Sequence, residues 1–353
     1  MNMWSFSQNE WTEIYVVLKL LSEAKIYGAD ENLQKNSNIV YPIKTINYDK
    51  FAKNTEFLSG NEILIRKEEE LRLPLEEIKH NSRLLFEKIK TAPGGSQTFQ
   101  IPELEPFLKR IKVTKKIANT KDRIVLSHDS LAGEKPSLSF SVLSQLNRSA
   151  SFFSSCLETN FIYELKDLKL SQDEIEGINS LDLAIERIRK IRKHGGNFEV
   201  IGTQDALFGL NMQLIDGDLP EIMGFMLLES CSSEKTLGLK SLLPIVEERN
   251  PCNFPSTIIH QAYKSKVKKF MIAVIQGMAP SKTWDDTYDV TRGHIVVRAD
   301  GEVLYYHVYN QDQFAEYLIA NTYFVSPSIS ECTYGRIYTD DNKLYLKLNM
   351  QIS

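Results

Sequence analysis

Apolar residues recur at helical spacing from the start of the chain. Trp11, Ile14, Tyr15, Leu18 and Leu21 form one stripe, and Ser7-Gln8-Asn9-Glu10 before them has capping-box spacing. The pattern predicts a first helix that ends near Gly28. Ile39 to Asn47 mixes β-branched and aromatic residues and predicts a strand, with another over Leu58 to Ile65. From Lys67 to Lys90 the chain is densely charged, with Leu71, Leu75, Ile78, Leu85 and Ile89 as an apolar face. This predicts one or two surface helices broken near Pro74. Ala92 to Ser96 reads as a loop and Glu103 to Ile111 as a helix. A strand pair follows, Arg123 to His128 and Ser137 to Leu143, around a turn region holding Gly133. The alternation of Leu138, Phe140 and Val142 marks its second strand, and Phe161 to Leu165 is a third.

The period then turns helical. Ser171 to Lys193 stops at His194-Gly195-Gly196, and Ala206 to Ser230 restarts after Asp218-Leu219-Pro220-Glu221. Leu237 to Glu247 and Thr257 to Met278 are further helices. Strands return with His294 to Arg298, a tight turn at Asp300-Gly301, and Val303 to Tyr309. A short helix over Gln311 to Ala320 and a hairpin of Gly335 to Thr339 with Lys343 to Asn349 complete the chain. The pattern divides it into a core over 1–170, a mainly helical region over 171–280 and a β-rich region over 281–353. We find no internal repeat.

Composition narrows the class. The 353 residues are 42% hydrophobic, 10% aromatic and 25% charged. This is globular composition, which excludes collagen, coiled coil, disordered tail and disulfide scaffold. The formal charge of −4 excludes a protein that is basic overall, though not one with basic patches. Cys156, Cys231, Cys252 and Cys332 are too far apart for a zinc knuckle and read as reduced thiols. Met1 to Trp11 lacks the basic and apolar regions of a signal peptide, and no apolar run is long enough to span a bilayer. The expectation is a soluble, cytoplasmic protein.

Phosphate-binding glycine loops, GxSxG and HExxH are absent, and six histidines are scattered as ordinary surface or core residues. Carboxylates remain. Glu10 and Glu13 share a face of the first helix, where Glu10 also closes the capping box. Asp129 stands at the end of a basic strand. Metal-dependent phosphodiester hydrolysis needs carboxylate oxygens around a divalent ion, and a lysine to position water or offset developing charge. An Asp on one strand and an acid-x-Lys on its neighbour meet that need. Here the second strand holds Ser141 and Leu143 at those positions, so a structural hairpin with a turn aspartate is the competing reading. Three basic stretches, Lys109 to Arg123, Arg187 to Lys193 and Lys264 to Lys269, suggest charge segregation suited to a polyanion.

At this point the chain resembles the HpaII family of type II restriction endonucleases. The resemblance lies in Asn9-Glu10-Trp11-Thr12-Glu13-Ile14-Tyr15 running on to Ala29-Asp30-Glu31-Asn32, and in Ile124 to Leu146 with Thr159-Asn160-Phe161. A third match runs from Asp300-Gly301-Glu302-Val303 through Tyr306 to Asn310, then through Gly335-Arg336-Ile337-Tyr338 to Ile352. It implies an α/β protein with a PD-(D/E)XK-type nuclease core, a mixed sheet flanked by helices, together with a helical insertion and a C-terminal β-hairpin region. It implies Mg²⁺-dependent cleavage of double-stranded DNA at a short site, and the named family enzyme reads CCGG. A homodimer would suit a palindromic site, and a host would need a cognate DNA methyltransferase.

Carried onto these residues, the resemblance makes Asp129 the first-strand metal ligand, with Glu10 and Glu13 completing the site. Ser141 falls where the second acid would stand. The family pattern has a lysine two positions later, where this chain has Leu143. The departure bears on cleavage rather than DNA binding. It leaves three openings: an altered position that traps an uncleaved complex, a natural relative that binds DNA without cutting, or a lysine from elsewhere such as Lys121 or Lys166. Gln145, Asn147 and Arg148 follow the strand and are expected toward DNA. Lys282 and Arg292 are expected there too, from the loop that also carries Thr287, Tyr288 and Thr291.

Overall fold

The computed structural model describes residues 4–48, 52–58, 62–66, 70–92, 97–114, 124–127, 137–146, 152, 157–285, 292–307, 310–325 and 334–353. Of 52–58, 66, 125, 127, 137–139 and 292 the backbone alone is described. The chain forms two compact units. One comprises 1–150 and 289–314, the other 151–288 and 315–353. These units do not follow the three contiguous blocks read from the sequence, because the C-terminal strands divide between them.

In the first unit, β1 (Ser5–Ser7) leads directly into α1 (Gln8–Glu23). The capping box is formed: Ser7 accepts from the Glu10 amide, and Glu10 accepts from the Ser7 amide. The helix ends at Ala24 in the left-handed conformation, not at Gly28. Gly28 lies instead in β2 (Lys25–Ala29) beside β3 (Lys35–Pro42), where a Cβ would stand 2.8 Å from Ile39 Cγ2. The expected strand over Ile39 to Asn47 divides into the end of β3 and β4 (Thr45–Tyr48). Then come β5 (Ala52–Leu58), β6 (Glu62–Arg66) and β7 (Glu70–Pro74). The residues before Pro74 are thus a strand rather than a helix. Proline disfavours helix at the residue before it, and Leu71 and Leu73 pair with Ile65 and Ile63. Pro74 caps α2 (Leu75–Thr91), which buries Ile78, Leu85 and Ile89 as its period predicts. The unit continues with β8 (Thr98–Gln100), α3 (Glu105–Arg110), β9 (Ile124–Ser127) and β10 (Ser137–Ser144).

The second unit contains β11 (Asn160–Lys166), α4 (Gln172–Asn179) and α5 (Ala184–Lys193). It continues with β12 (Asn197–Thr203), α6 (Ala206–Ile215), α7 (Leu219–Cys231), α8 (Leu239–Arg249) and α9 (Ile259–Gln276). The chain then supplies β13 (Arg292–Val297) and β14 (Val303–Tyr306) to the first unit. The helix α10 (Gln311–Asn321) is followed by β15 (Ile337–Asp340) and β16 (Lys343–Asn349) of the second. The strand β12 was not foreseen within a region read as helical. It is short and pairs with β11, which in turn pairs with β16, in an antiparallel sheet ordered β12-β11-β16-β15. Asn349 seals this sheet, its Nδ2 donating to Asn160 Oδ1 at 2.7 Å and Thr159 Oγ1 at 3.1 Å. No helix among the described residues is long and apolar enough to cross a membrane.

The first unit is built on a mixed sheet ordered β3-β2-β14-β13-β10-β9-β4-β5-β6-β7, flanked by helices. Only β10 with β13 and β14 with β2 pair in parallel within it. One face carries Ile46, Tyr48, Ile63, Ile65, Ile124, Leu126, Phe140, Ile295, Val297 and Tyr305. It belongs to one buried cluster with Trp11, Ile14 and Leu18 of α1 and with Ile78, Leu85 and Ile89 of α2. Trp11 is wholly buried, donates Nε1–H to the Phe99 carbonyl at 3.1 Å, and meets the Phe6 ring edge-on. At the centre of the sheet Phe140 stands opposite Gly293. A Cβ at Gly293 would lie 2.5 Å from Phe140 Cε1 and 3.0 Å from the Tyr306 carbonyl oxygen, so only glycine leaves room for the ring. Gly293→Ala should therefore destabilise the protein by about 1–3 kcal/mol. A denaturant midpoint unchanged from the parent would show that the ring can move aside.

Candidate active site

Side chains alternate across a strand, so the Phe140 position fixes its neighbours. Phe140 and Val142 turn toward the α1 side. Ser141 and Leu143 turn to the opposite face. There the parallel register sets Ser141 beside His294 and Leu143 beside Val296. Ser141 Oγ lies 2.8 Å from His294 Nδ1. The imidazole stacks on Phe314, with ring centroids 4.5 Å apart and planes 19° apart, and Tyr306 packs against the same phenyl ring at 4.8 Å. A half-buried serine-histidine pair is thus locked from two sides at the middle of the sheet.

The helical carboxylates are placed elsewhere. Glu10 Oε2 accepts from Ser7 N at 2.8 Å and Ser7 Oγ at 3.0 Å, so its carboxylate is engaged in the cap. Glu13 Oε2 accepts from Tyr48 Oη at 2.8 Å, and Tyr48 belongs to the α1-side core. The structure therefore brings Ser141 together with His294, and sets Glu10 and Glu13 on the other side of the sheet. Asp129, Asn147, Arg148 and Lys121 lie outside the described residues. Among the described residues no group of three or more His, Cys, Asp and Glu side chains could hold a metal ion.

The remaining expected residues have defined local roles. Gln145 donates its amide N–H to the Val297 carbonyl at 2.9 Å and accepts from Ala299 N at 3.3 Å, bracing the Asp300-Gly301 turn. Arg292 opens β13 opposite Ser139. In the second unit Lys282 is exposed, and its carbonyl accepts from Asn211 Nδ2 at 2.7 Å. Asn211 is fully buried and also binds the Ala279 carbonyl and the Trp284 amide, so one side chain shapes that loop. Lys166 is paired with two acids. Its ammonium sits 2.7 Å from Glu164 and 2.9 Å from Glu199, and these carboxylates push its pKa up to about 12.

Several residues of the basic stretches are matched by acids, while 115–123 of the first stretch lie outside the described residues. Lys109 pairs with Glu105 and Arg110 with Glu77, at 2.9 and 2.6 Å. Arg189 and Arg192 pair with Glu234 and Glu229, while Arg187 is buried and donates to the Gly335 and Leu181 carbonyls. Lys264 and Lys268 share Glu316, and Lys266 and Lys269 share Asp216. Apart from Glu105, which shares α3 with Lys109, these acidic partners come from other elements, so the pairing does not show in the linear sequence.

The chain matches the HpaII restriction endonuclease family over residues 7–353. It belongs to that family. As a member it is a type II site-specific deoxyribonuclease. It is 35% identical over 355 residues to the type II restriction enzyme HpaII of Haemophilus parainfluenzae, a span covering 99% of this chain and 98% of that one. No solved structure matches the chain. In this HpaII-family chain, the contact of Ser141 with His294 was not foreseen from the sequence. His294 was set aside among six scattered histidines, and it meets Ser141 only through the pairing of strands 153 positions apart.

Two outcomes test these placements. Glu10→Ala should cost about 1 kcal/mol of stability through loss of the cap, without raising the Mg²⁺ concentration needed for half-maximal cleavage. A raised Mg²⁺ requirement would return Glu10 to the ligand set. Asp216 is opposed by burial, yet Lys266 and Lys269 hold its carboxyl below the usual range. Its stabilisation is present above the ordinary aspartate pKa and is lost as pH falls through the lowered folded value. Asp216→Asn should therefore melt below the parent at pH 7, and the gap should close in strong acid. A gap independent of pH would exclude the ion pairs as its source.

Proposed function

We propose that the protein hydrolyses phosphodiester bonds of double-stranded DNA at a short specific site, CCGG or one closely like it, in a Mg²⁺-dependent reaction. The observation that carries this reading is the family match, which runs through both compact units and nearly the full length of the relative. The mixed sheet flanked by helices supports a PD-(D/E)XK-type core. Asp129 is the proposed metal ligand, since a hard divalent cation takes carboxylate oxygens. The described carboxylates Glu10 and Glu13 do not by themselves fit such an ion, being engaged by Ser7 and Tyr48. Gln145, Asn147, Arg148, Lys282 and Arg292 are the proposed DNA contacts, with phosphate contacts setting register and base-edge contacts setting specificity. A homodimer matched to a palindromic site and a cognate methyltransferase in the host complete the reading.

Leucine at position 143 can neither donate a hydrogen bond nor carry charge, so it attenuates cleavage without removing the fold that binds DNA. Unmethylated phage DNA incubated with the protein and Mg²⁺ should give discrete bands, and EDTA should abolish them. Leu143→Lys should cut faster by roughly tenfold or more, as expected for a restored charged donor near the reacting phosphate. Absence of bands from both proteins would overturn the cleavage reading. Salt-sensitive, site-specific binding in that case would leave a DNA-binding protein without cleavage activity.

A further inference from the structure

Like charges at facing positions of neighbouring strands destabilise the pair. The β15–β16 hairpin of the second unit nevertheless carries such a pair. Ile337 pairs with Leu346 and Tyr338 with Tyr345, so the next positions along the two strands are Arg336 and Lys347. The Gly335 amide donates to the Lys347 carbonyl at 2.6 Å, which holds the two strands together there. Arg336 is exposed, and Lys347 is half-buried with its ammonium 5.0 Å from the centre of the Tyr338 ring. Neither is ion-paired with a carboxylate among the described residues. Glu164 of β11, the strand on the other side of β16, is already shared by Lys166 and Lys343. A third cation lies close by. Arg187 of α5 is buried, and its guanidinium donates to the Gly335 and Leu181 carbonyls, which are neutral. Burial first and Arg336 second press its pKa below the usual range, while Asp182 and Glu186 oppose them more weakly.

Three cations at one end of a hairpin repel one another, and a phosphate group offsets that repulsion with charge and with oxygens that match the guanidinium fork. We propose that Arg336 and Lys347 bind a phosphate group, with Arg187 and Asn179 as positioning residues. Arg187 holds the Gly335 carbonyl just before Arg336 at 2.9 Å. Asn179 of α4 holds the residue just after it from both sides. Its Oδ1 accepts from the Ile337 amide at 2.7 Å, and its Nδ2 donates to the Ile337 carbonyl at 2.9 Å. The backbone that carries Arg336 is therefore fixed in advance, so less freedom is lost on binding. Phosphate of this kind has two sources, the backbone of DNA and the free anion. The DNA backbone is the source assigned here, and that assignment rests on the cleavage reading above. Such a contact fixes the position of a protein on the duplex without reading bases.

The test compares the full-length protein with Arg336→Gln and Lys347→Gln in two measurements. The first is thermal unfolding in sodium phosphate against sodium chloride of equal ionic strength. Phosphate also stabilises proteins by exclusion from their surface, so the difference between parent and variants is the readout. Phosphate should raise the melting temperature of the parent more than that of either variant. In chloride Arg336→Gln should melt no lower than the parent, because it relieves the facing repulsion. The second is affinity for duplex DNA with Ca²⁺ in place of Mg²⁺, across a range of salt. Each variant should bind several-fold more weakly on every sequence tried, and the slope of log affinity against log salt should fall by about one. Arg336→Lys keeps the charge and should keep the slope. Equal phosphate effects in parent and variants, together with unchanged slopes, would overturn the inference. A phosphate effect confined to the parent with unchanged slopes would support the site and overturn DNA as its source. A parent that binds no DNA would overturn the cleavage reading, and the unfolding measurement would then judge the phosphate site by itself.

Discussion

The fit of the Phe140 ring over the bare backbone of Gly293 is the contact on which the first unit depends. β10 and β13 are neighbours in space but 153 positions apart in the chain, and parallel strands need long connections. A slip of one residue would carry the core side chains to the opposite face. Gly293 provides space for one ring at one place, and Phe140 fills it. With that pair matched, Ile295 and Val297 fall into the α1-side core, and His294 falls beside Ser141. One packing requirement therefore settles both what is buried and which polar groups meet.

The same alternation separates an apolar face of the sheet from one that carries polar groups. The face toward α1 is apolar and continuous, and the acids of α1 serve it. Glu10 fixes the helix start and Glu13 receives the hydroxyl of buried Tyr48. The opposite face carries the serine-histidine pair and Leu143. Two glutamates three apart on a helix beside a sheet suggest ligands when read as a line of residues. In three dimensions its carboxylates complete hydrogen bonds that the helix terminus and a buried phenol would otherwise lack.

What was legible in the sequence follows from how local each signal is. The capping box and the stripe from Trp11 to Leu21 depend on spacings within one helix, and they were read correctly apart from the end at Ala24. The turn at Asp300-Gly301 is similarly local. β7 was obscured because Leu71 also fits a helical period with Leu75 and Ile78, and its strand character comes from pairing with β6. β12 was missed because a seven-residue strand between helices gains its stability from β11, a partner that a local pattern does not display. Ion pairing was the least legible feature. Lys266 and Asp216 lie 50 positions apart, so a run of lysines looked like an open basic face.

The geometry of a sheet also explains why the partner of Ser141 lies on the next strand rather than farther along its own. Residues two apart on a strand are separated by about 6.6 Å, whereas neighbouring strands lie about 4.8 Å apart. Measured from Ser141, the position at 294 is thus nearer than the position at 143. The His294 imidazole is held in one orientation, because the Phe314 ring stacks on it and the Ser141 hydroxyl meets its Nδ1. Leu143 is an apolar residue on this face, where its strand partner is the buried Val296. The polar contact of the strand pair therefore runs across from β10 to β13 at Ser141, while the next position on the same face is apolar.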